Sequence, residues 1–474
     1  GDSFLAYEGS RNDGPFLNPA RFKRDNVTAN YTWKMDESQA VGFKLNLGRN
    51  DFCSSGQIPL DEVAAGRLDR FGFVDPDDGG RVRTGILGAY YKKEWKEGDI
   101  LKVDGFLGRS LFDLYSNFTF FLNDQTHGDG IQQHDSRLQE GANAQYLHPF
   151  NLLGQRALFV AGSNFHDNQI NVGLYPRIQR DPTGVTTRAN AHVTNTAGYL
   201  QQGVDLWQGR LHLDGGWRYD FFRFDVEDKI DPLLSGTQEA SRLQPKANLA
   251  FTPSHRIPFT LHLNYGRGIS SQDARGVVER PSAPRIATTD FYQIGTSHNW
   301  RRFSFSTDMF LIDRSNEQVY VPDDGGFEFK GPSRAYGFEA KSSVQFTRYR
   351  TLPRIYVDSA PHAASNAGLT LAGWRGFTGS LRFRYIGNYR LDGLDPTIRA
   401  SGLTILDFST AKQIRRWVDF NFSVDNFGNK TYYETQNYFP SRLRPGDPVI
   451  TRIHGTPGYP IGFTVGLTFR SGEK

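Results

Sequence analysis

Two pairs of ionisable side chains in one short stretch could carry acid–base chemistry. His212 stands two residues before Asp214, and Arg218 stands two residues before Asp220. A histidine that meets a carboxylate can act as a general base, and side chains two residues apart share one face of an extended strand. The chain has no nucleophile elbow, no HExxH and no paired-cysteine motif to complete a catalytic site. We therefore interpret these residues as solvated or ion-paired, and we predict neither an enzyme nor a cofactor.

Three closely spaced carboxylates, Asp75, Asp77 and Asp78, could bind calcium through oxygen ligands. An EF-hand loop would need a glutamate at its twelfth position, where this chain has Ile86. The PDDGG motif at 76–80 recurs at 322–326, and its composition is typical of a turn. We therefore favour a turn over a metal site. The single cysteine, Cys53, excludes an intrachain disulfide and is interpreted as a loop residue.

The stretch 208–224, which contains both ionisable pairs, alternates apolar and charged residues. One parity carries Leu211, Leu213, Trp217, Tyr219 and Phe221, whereas the other parity carries the charged residues. Strand side chains alternate between two faces, so one face would be apolar and aromatic and the other charged. A long strand of this kind fits a membrane β-barrel, in which lipid contacts one face and water the other.

The same alternation recurs elsewhere in the chain and agrees with its composition. Runs at 41–47, 259–265, 381–385 and 418–425 keep their charged residues on one parity. Hydrophobic residues make up only 38% of the chain, yet aromatic residues reach 14%, which suits a thin outer band with aromatic girdles. No apolar run approaches the about 18 residues of a membrane-spanning helix. The net charge of +4 over 474 residues gives no reason to expect a nucleic-acid partner.

Short and long links alternate along the chain between the predicted strands. Short links lie at 35–38, 96–99, 149–154, 207–209, 252–258, 298–302, 373–376 and 413–416. Long links rich in Gly, Asp and Pro lie at 51–82, 115–132, 169–192, 225–242, 270–289, 322–333, 392–401 and 435–459. This pattern predicts an all-β, antiparallel, up-and-down transmembrane barrel with turns on the periplasmic side and loops outside.

Counting these runs gives about nineteen strands and one inconsistency. The strand that ends near 347 and the strand at 366–371 would both run inward, which consecutive strands cannot do. We therefore predict a missing or distorted strand within 348–365, with Arg350-Thr351 as a candidate junction of a deletion or gap. An even barrel also requires an even number of strands before Gly1. Nineteen strands, one distorted strand and two earlier strands give a 22-stranded barrel, as in plugged outer-membrane transporters.

Short motifs in a fixed order resemble the barrel domain of TonB-dependent outer-membrane receptors along nearly the whole chain. They include SGQIP at 55–59, RFGFVDPDDGG at 70–80, YSNFTFFLND at 115–124, GGWRYD at 215–220, SRLQPKANLAFTP at 241–253, YGRGIS at 265–270, RAYGFEAKSS at 334–343 and VDNFGNKTYYE at 424–434. The order of the motifs carries the resemblance, because each motif alone is weakly specific. We therefore treat residues 1–474 as one barrel domain.

The resemblance implies an integral protein of the Gram-negative outer membrane that takes up a scarce nutrient, most often an iron–siderophore chelate. It implies that the energy comes from the TonB system, acting through an N-terminal plug. Neither the plug nor the segment that engages TonB is found in this sequence. The alternative is therefore a passive channel with a wide pore. Further expected partners are the outer-membrane lipid and the barrel-assembly machinery.

Receptors of this family bind their ligand between outer loops and the plug, so charged and aromatic loop residues are the ligand-binding candidates. They are Arg67, Asp69, Arg70, His127, Asp129 and Tyr320. The last strand carries a candidate assembly signal of alternating apolar residues that ends on an aromatic ring: Phe463, Val465, Leu467 and Phe469. No catalytic residue and no metal ligand is predicted, and the sequence does not identify the ligand.

Overall fold

A computed structural model gives the fold of the chain. It describes residues 1–254, 256, 259–300, 303–321, 326–346, 349–351, 354–356, 364–392 and 395–469. The regular secondary structure of the described residues is almost entirely β-strand, with two short α-helices and one 3-10 helix. None of the described helices is both long and apolar enough to cross a membrane.

The first half of the chain contains the longest strands. They are β1 (Asp2–Asn12), β2 (Phe22–Lys34), β3 (Gln39–Cys53), β4 (Ile58–Pro59), β5 (Gly79–Glu94), β6 (Ile100–Ser116), β7 (Ile131–Leu152), β8 (Gln155–Ile178), β9 (Asp181–Pro182), β10 (Thr187–Leu206), β11 (Leu211–Asp228), β12 (Gly236–Phe251) and β13 (Phe259–Ser271). Helix α1 (Leu60–Ala64) follows β4, a 3-10 helix (Pro232–Leu234) follows β11, and helix α2 (Ala274–Glu279) follows β13.

The second half continues the same meander with shorter strands. They are β14 (Ile286–Trp300), β15 (Phe303–Arg314), β16 (Glu317–Val321), β17 (Gly326–Lys330), β18 (Ser333–Phe346), β19 (Tyr349–Thr351), β20 (Arg354–Tyr356), β21 (Ala364–Trp374), β22 (Phe377–Ile386), β23 (Tyr389–Arg390), β24 (Arg399–Ala400), β25 (Leu403–Arg415), β26 (Val418–Asp425), β27 (Tyr433–Ser441), β28 (Ile450–Pro457) and β29 (Gly462–Phe469).

One antiparallel sheet of 22 segments forms the body of the molecule. Segment β9 pairs with the end of β8 in the place that β10 continues, and β19 and β20 share one place in the sheet, so the 22 segments fill 20 consecutive positions. Both β19 and β20 pair with β18 on one side and with β21 on the other. This interrupted strand reverses the chain direction between β18 and β21. The prediction of a distorted strand is therefore confirmed, although residues 348, 352–353 and 357–363 lie outside the described part of the chain.

The sheet curls so that outer links near its two ends contact each other. Strand β28, between β26 and β29, pairs with β4, which lies between β3 and β5. The Arg70 guanidinium, after β4, donates to the backbone carbonyls of Tyr432 and Gly458 at 3.0 and 3.2 Å. Links from the first and last strands can touch in this way only if the sheet forms a barrel. Within the described residues, β1 pairs only with β2, and β29 pairs only with β26.

The links alternate between tight turns at one end and long excursions at the other, as predicted. The β7–β8 turn consists of Leu153 and Gly154, both with positive φ angles of 51° and 78°. Two residues with positive φ match the twist of a hairpin, and glycine adopts this conformation without steric cost. Trp33, Trp207 and Trp417 lie beside the turns and are more than half exposed on the outer face. They form an aromatic girdle at the turn end.

Two predicted long links are wrong in extent. Strands β8 and β10 pair from Ala157 to Leu174, and β11 and β12 pair up to Val226, so most of 169–192 and 225–242 is strand. Polar residues made these segments look like loops. Their polarity has another cause, because these strands have 16 to 24 residues, whereas about 9 to 11 residues cross a bilayer. The extra length extends beyond the apolar band on the loop side, where polar side chains can face water.

Candidate ligand site at the loop end of the barrel

Five of the six predicted loop residues lie in one assembly of loops, and Tyr320 lies in another. We call the first assembly the outer-loop cluster; it comprises loops 54–78, 117–130, 179–186 and 426–461. Its centre is the small sheet of β27, β28 and β4. The loops come from strands far apart in the sequence, so their mutual contacts fix the shape of the barrel mouth.

Arg70 is an anchor inside this cluster rather than a free binding residue. Besides its two carbonyl contacts, its guanidinium packs on the Phe71 ring at 4.8 Å and lies 6.0 Å from the centre of the Tyr433 ring. An arginine that satisfies backbone carbonyls and packs on aromatic rings contributes mainly to loop geometry. Asp69, beside it, accepts a hydrogen bond from the Phe71 backbone N–H at 2.7 Å, which is local turn chemistry.

Arg67 keeps most of its surface in solvent. It forms two hydrogen bonds with Glu62, at 2.6 and 2.9 Å, and its side chain is 63% exposed. Glu62 also contacts the almost buried Arg452 of β28 at 3.2 Å. Arg452 therefore ties helix α1 to β28, whereas Arg67 remains accessible at the barrel mouth.

Asp129 organises the loop between β6 and β7. Its carboxylate accepts hydrogen bonds from the backbone N–H groups of Asn123 and Asp124 and from the Thr119 hydroxyl, at 2.7 to 3.1 Å. His127 is exposed and its Nδ1 lies 3.1 Å from Asp124. Asp129 is thus a structural residue, while His127 stays accessible to a ligand.

The acidic motif at 75–78 encloses an arginine. The Arg177 guanidinium, whose side chain is 1% exposed, lies 2.7 Å from Asp78 and 3.1 Å from Asp75. The Asp77 backbone N–H donates to Asp75 at 2.9 Å, which closes a turn. Burial raises the pKa of Asp78 to about 8; the nearby Asp75 carboxylate acts in the same direction and Arg177 opposes it. The turn interpretation holds, and the described residues contain no cluster of three or more metal-ligating side chains. The second PDDGG, at 322–326, lies mostly outside the described residues.

His454 is buried at the core of the loop sheet. Its ring stacks on Phe439 with centroids 3.9 Å apart, and its Nε2 lies 3.0 Å from the Ser441 hydroxyl. Among the described residues, its Nδ1 has no hydrogen-bond partner. Burial, with the positive charge of Arg452 acting in the same direction, lowers the pKa of His454 from 6.5 to about 4. The neutral ring is therefore the form that the loop sheet accepts.

We expect the loop sheet to loosen as the pH falls from about 6.5 towards 4. The unfolded segment would bind a proton on His454 over this range and the folded segment would not, so acid favours opening. A shift of this size corresponds to about 3 kcal/mol. Hydrogen exchange of the amides at 450–457 should rise accordingly. A His454→Gln variant should lose this dependence; the same pH response in that variant would contradict the assignment.

Tyr320 lines a cavity of about 640 Å³ inside the barrel mouth. One side of the cavity is the inner face of β7, β8 and β10, and the other is the segment 271–275 with Tyr320 of β16. The Arg275 guanidinium stacks on Tyr320 and Phe327, 5.2 and 4.9 Å from the ring centres. Burial raises the pKa of Tyr320, so its hydroxyl stays protonated at neutral pH. Of the six predicted residues, Tyr320 is the one placed in this cavity.

Helix α2 covers the inner wall through an apolar contact. Ala274, Val277 and Val278 pack against Phe224 and Val226 of β11. The inward-facing residues of β11 are charged towards the turn end but become apolar at Phe224 and Val226. The barrel wall therefore presents a hydrophobic surface against which α2 can pack. A Cβ at Gly276 would overlap the Gln318 side chain, so this glycine permits the close approach of β16. Helix and hairpin together form the cover of the cavity.

Two arginine–carboxylate pairs face this cavity. Arg137 binds Asp135 through two hydrogen bonds of 2.7 Å on the barrel wall. Arg275 lies 3.3 Å from Asp273, whose carboxylate caps α2 by accepting from the Arg275 backbone N–H. An anionic ligand could replace a carboxylate on either guanidinium, because arginine binds planar oxyanions with paired hydrogen bonds.

The ionisable pairs at 212–220 belong to ladders of hydrogen bonds along the strands. His212 Nδ1 lies 2.8 Å from Asp205, not next to Asp214. Asp214 accepts from Gln201 at 2.7 Å. Arg218 and Asp220 form two hydrogen bonds of 2.7 and 2.9 Å. These contacts bear out the ion-paired interpretation for His212, Arg218 and Asp220, whereas Asp214 is hydrogen-bonded to a neutral amide.

The proposed assembly signal lies on β29. The four side chains point to the outer face and are more than half exposed: Phe463, Val465, Leu467 and Phe469. They pair in register with Val424, Phe422, Phe420 and Val418 of β26. Their role in assembly stays a prediction, and Arg470 to Lys474 lie outside the described residues.

Sequence reasoning missed Arg177, Arg452 and helix α2. Nothing local marks the two arginines, because their carboxylate partners lie 99 and 390 residues away in the sequence. Helix α2 had a detectable signal in Asp273, an N-cap residue, followed by the apolar Val277 and Val278. The long link at 270–289 should have been read as a folded loop.

The chain was compared with known protein families, curated sequences and solved structures. The sequence model of the family described as "TonB dependent receptor-like, beta-barrel" matches residues 5–427. No curated protein sequence matches the chain.

Solved structures resemble the chain over nearly its whole length. The ferric citrate transporter FecA in its unliganded form has a TM-score of 0.80 at 14% identity, covering 98% of this chain and 73% of that chain. The ferric-catecholate import receptor Fiu from E. coli K12, in its closed form, has a TM-score of 0.77 at 14% identity, covering 98% and 77%. The siderophore receptor PiuA from Acinetobacter baumannii has a TM-score of 0.79 at 13% identity, covering 98% and 77%. At such identities the likeness shows the fold alone.

Proposed function

The chain belongs to the TonB-dependent receptor β-barrel family. On that premise we propose that it is the barrel of an outer-membrane receptor for a scarce nutrient, and that this nutrient is an iron–siderophore type chelate. Uptake would be driven by the TonB system through a plug domain. The family membership supports the membrane location and the partner system. The printed names of FecA, Fiu and PiuA support an iron chelate as the substrate class.

The observation that carries the proposal is the cavity between the inner wall and the cover formed by α2 and β16. Its volume of about 640 Å³ falls in the range of roughly 300 to 1,000 Å³ that is usual for small-molecule sites. Arg137, Arg275 and Tyr320 supply two guanidinium groups and an aromatic ring. These groups suit a compact anionic chelate, which would exchange with the carboxylate partners of the arginines.

The other predicted residues take graded roles in this proposal. Arg67 and His127 are exposed at the mouth and would meet the ligand before it reaches the cavity. Asp69, Arg70 and Asp129 would act indirectly, by holding the loops in place. The apolar side chains of β29 would contact the outer-membrane lipid and serve the barrel-assembly machinery as an assembly signal.

Truncation of the cavity ring should weaken binding without unfolding the barrel. We expect Tyr320→Ala to raise the dissociation constant of a ferric chelate by about tenfold or more, because a stacking surface and a guanidinium support are lost together. Tyr320→Phe keeps the ring and should stay within about threefold. Tryptophan fluorescence titration with ferric citrate, a ferric catecholate and a ferric hydroxamate would measure this. Equal affinities of the wild-type protein and the alanine variant for every chelate bound would contradict the proposed site.

The alternative function is a passive wide-pore channel. Single-channel conductance in planar bilayers separates the two, because a receptor should hold its pore closed unless the transport machinery acts on it. A steady large conductance of the intact protein, together with no saturable chelate binding, would favour the channel.

A further inference from the structure

Two neutral amide side chains in the cavity beside Tyr320 have buried polar atoms without a partner. The Oδ1 atom of Asn168 and the Nε2 atom of Gln272 are both shielded from solvent, and neither has a hydrogen-bond partner among the described residues. Both residues line the cavity of about 640 Å³. Leaving a buried donor or acceptor unpaired is unfavourable, so each atom requires a partner that the described part of the chain does not supply.

The two amides lie on opposite sides of the cavity. Asn168 is on β8 in the same parity as Ile170 and Val172, so the three side chains share the inner face of the barrel wall. Gln272 belongs to the cover, because it follows β13 and precedes Asp273, the N-cap residue of α2. An acceptor on the wall and a donor on the cover therefore border the same space.

Backbone contacts hold both amides in place. The Gln272 N–H donates to the carbonyl of Arg285 at 3.2 Å. The next residue, Asp273, donates its backbone N–H to the side chain of Gln318 on β16 at 2.8 Å. On the wall, Asn168 lies in a segment of β8 that is paired with β7 and β10 on its two sides. The donor and the acceptor are thus positioned before a ligand arrives, which lowers the cost of binding.

The rest of the lining explains why the missing partners should come from a ligand. The charged groups are already engaged, Arg137 with Asp135 and Arg275 with Asp273. The wall around Asn168 is apolar, with Ile170, Val172, Ala191 and Val193. A water molecule needs several polar partners, which an apolar wall does not provide. A ligand that fills the cavity brings its own polar groups to both atoms.

A secondary amide matches this pair of atoms. Its N–H donates and its C=O accepts, and in the trans form the two groups point to opposite sides. One amide could therefore donate to Asn168 Oδ1 on the wall and accept from Gln272 Nε2 on the cover. A carboxylate or an ester offers acceptors only, so it would leave Asn168 Oδ1 unpaired.

We propose that Asn168 and Gln272 are the specificity-determining residues of the cavity, and that they select a chelate whose iron-binding arms carry a secondary amide. Asn168 accepts from the amide N–H, and Gln272 donates to the amide C=O. The arginines bind the anionic part of the same chelate, and the two side-chain amides reject chelates built from carboxylates alone. This inference rests on the proposed function, because it requires that the cavity holds an iron chelate.

A matched pair of chelates tests the proposal. The probes are the ferric complexes of N-(2,3-dihydroxybenzoyl)glycine and of its ester analogue, in which an oxygen atom replaces the amide N–H. Both compounds keep the catechol, the carbonyl and the carboxylate. In a tryptophan fluorescence titration we expect the wild-type protein to bind the amide chelate at least about tenfold more tightly, because the ester leaves a buried acceptor unpaired.

Nearly isosteric variants separate the roles of the two residues. Asn168→Leu lacks the acceptor and should bind the two chelates within about threefold of each other. Gln272→Met should weaken both chelates by about tenfold and keep the preference for the amide, because both compounds retain the carbonyl. Asn171→Leu is the matched control and should keep both wild-type affinities. Asn171 lies on the outer face of the same strand, where its side chain donates to Asn190 at 2.6 Å.

Several results would overturn the proposal. Equal affinities of the wild-type protein for the amide and ester chelates would show that the cavity does not recognise the amide N–H. A preference for the amide that persists in Asn168→Leu would assign the discrimination to another residue, and its loss in Asn171→Leu as well would make the effect unspecific.

The Tyr320→Ala variant, titrated with the same two chelates, keeps this inference apart from the proposed function. If that variant weakens both chelates while the wild type binds them equally, the uptake site stands and only the selection of an amide fails. If neither chelate binds the wild-type protein saturably, the proposed function is contradicted and the selection of an amide is contradicted with it.

Discussion

Replacing Arg177 by methionine is expected to open the outer-loop cluster. The substitution keeps the volume of the side chain but leaves Asp75 and Asp78 without the guanidinium that lies 3.1 and 2.7 Å from them. It also removes hydrogen bonds to the carbonyls of Ile131 and Gln179. Loss of one partner of a buried ion pair costs about 3 to 5 kcal/mol. Hydrogen exchange at 75–79 and 177–180 should accelerate to match, while the amides of the central strands stay protected.

The stability lost in the Arg177→Met variant should depend on pH through Asp78. Its pKa is about 8 in the folded protein and 3.8 in the unfolded chain, so folding takes up a proton between these pH values. The stability that this group contributes therefore falls as the pH rises from about 4 to about 8. Above about pH 8 the carboxylate is ionised and requires Arg177, so the variant should fall further behind the wild type there. Arg67→Met is the matched control, because its exposed pair with Glu62 is screened by water and contributes little to stability. Comparable opening in both variants would show that burial of Arg177 is unimportant.

Placing a charge under helix α2 is expected to abolish ligand binding. Val277 is 2% exposed and packs in the cluster with Phe224, so Val277→Asp would bury a carboxylate that has no partner. The helix should leave the wall and the cavity should lose its cover. We expect the affinity for the ferric chelate to fall by about 100-fold, while the strands of the barrel remain intact.

Leu233→Asp is the matched control for this variant. Leu233 lies in the neighbouring 3-10 helix and is 90% exposed, so the same chemical change there should leave binding unaltered. Protease sensitivity at 272–285 would report whether the helix has left the wall. Full affinity in a Val277→Asp protein whose helix is displaced would show that the ligand binds outside this cavity.

The sequence predicted the body of this fold because a membrane barrel repeats one simple rule. Each strand must present an apolar face to lipid and a polar face to the lumen, so alternation at 211–221 and 418–425 marks strands without knowledge of their neighbours. The alternation of short and long links set every strand direction. Because consecutive strands must run in opposite directions, this alternation predicted the interrupted strand formed by β19 and β20.

Beyond the apolar band the same rule no longer applies. The segments around 169–192 and 225–242 face water on one side, so their composition resembles that of loops although their backbones remain paired. Residue type alone therefore predicted strands that end too early on the loop side of the barrel. The cavity lies against the outer extension of β8 and β10.

The binding residues were the least predictable part, because their roles depend on contacts between distant segments. Arg67, Arg70 and Asp129 looked equivalent as charged loop residues, but Arg70 contacts carbonyls 362 and 388 residues away and Asp129 holds its own loop. Tyr320 stood out only when β16 was seen to meet α2 across the barrel mouth.

Transport of a radiolabelled ferric chelate into cells that produce the protein tests the central proposal most directly. Uptake would be measured with the proton gradient intact and after an uncoupler has dissipated it. The proposal predicts saturable accumulation that stops when the gradient is lost and is strongly reduced by Val277→Asp. Accumulation that persists with the uncoupler and rises linearly with concentration would contradict it and identify a passive channel.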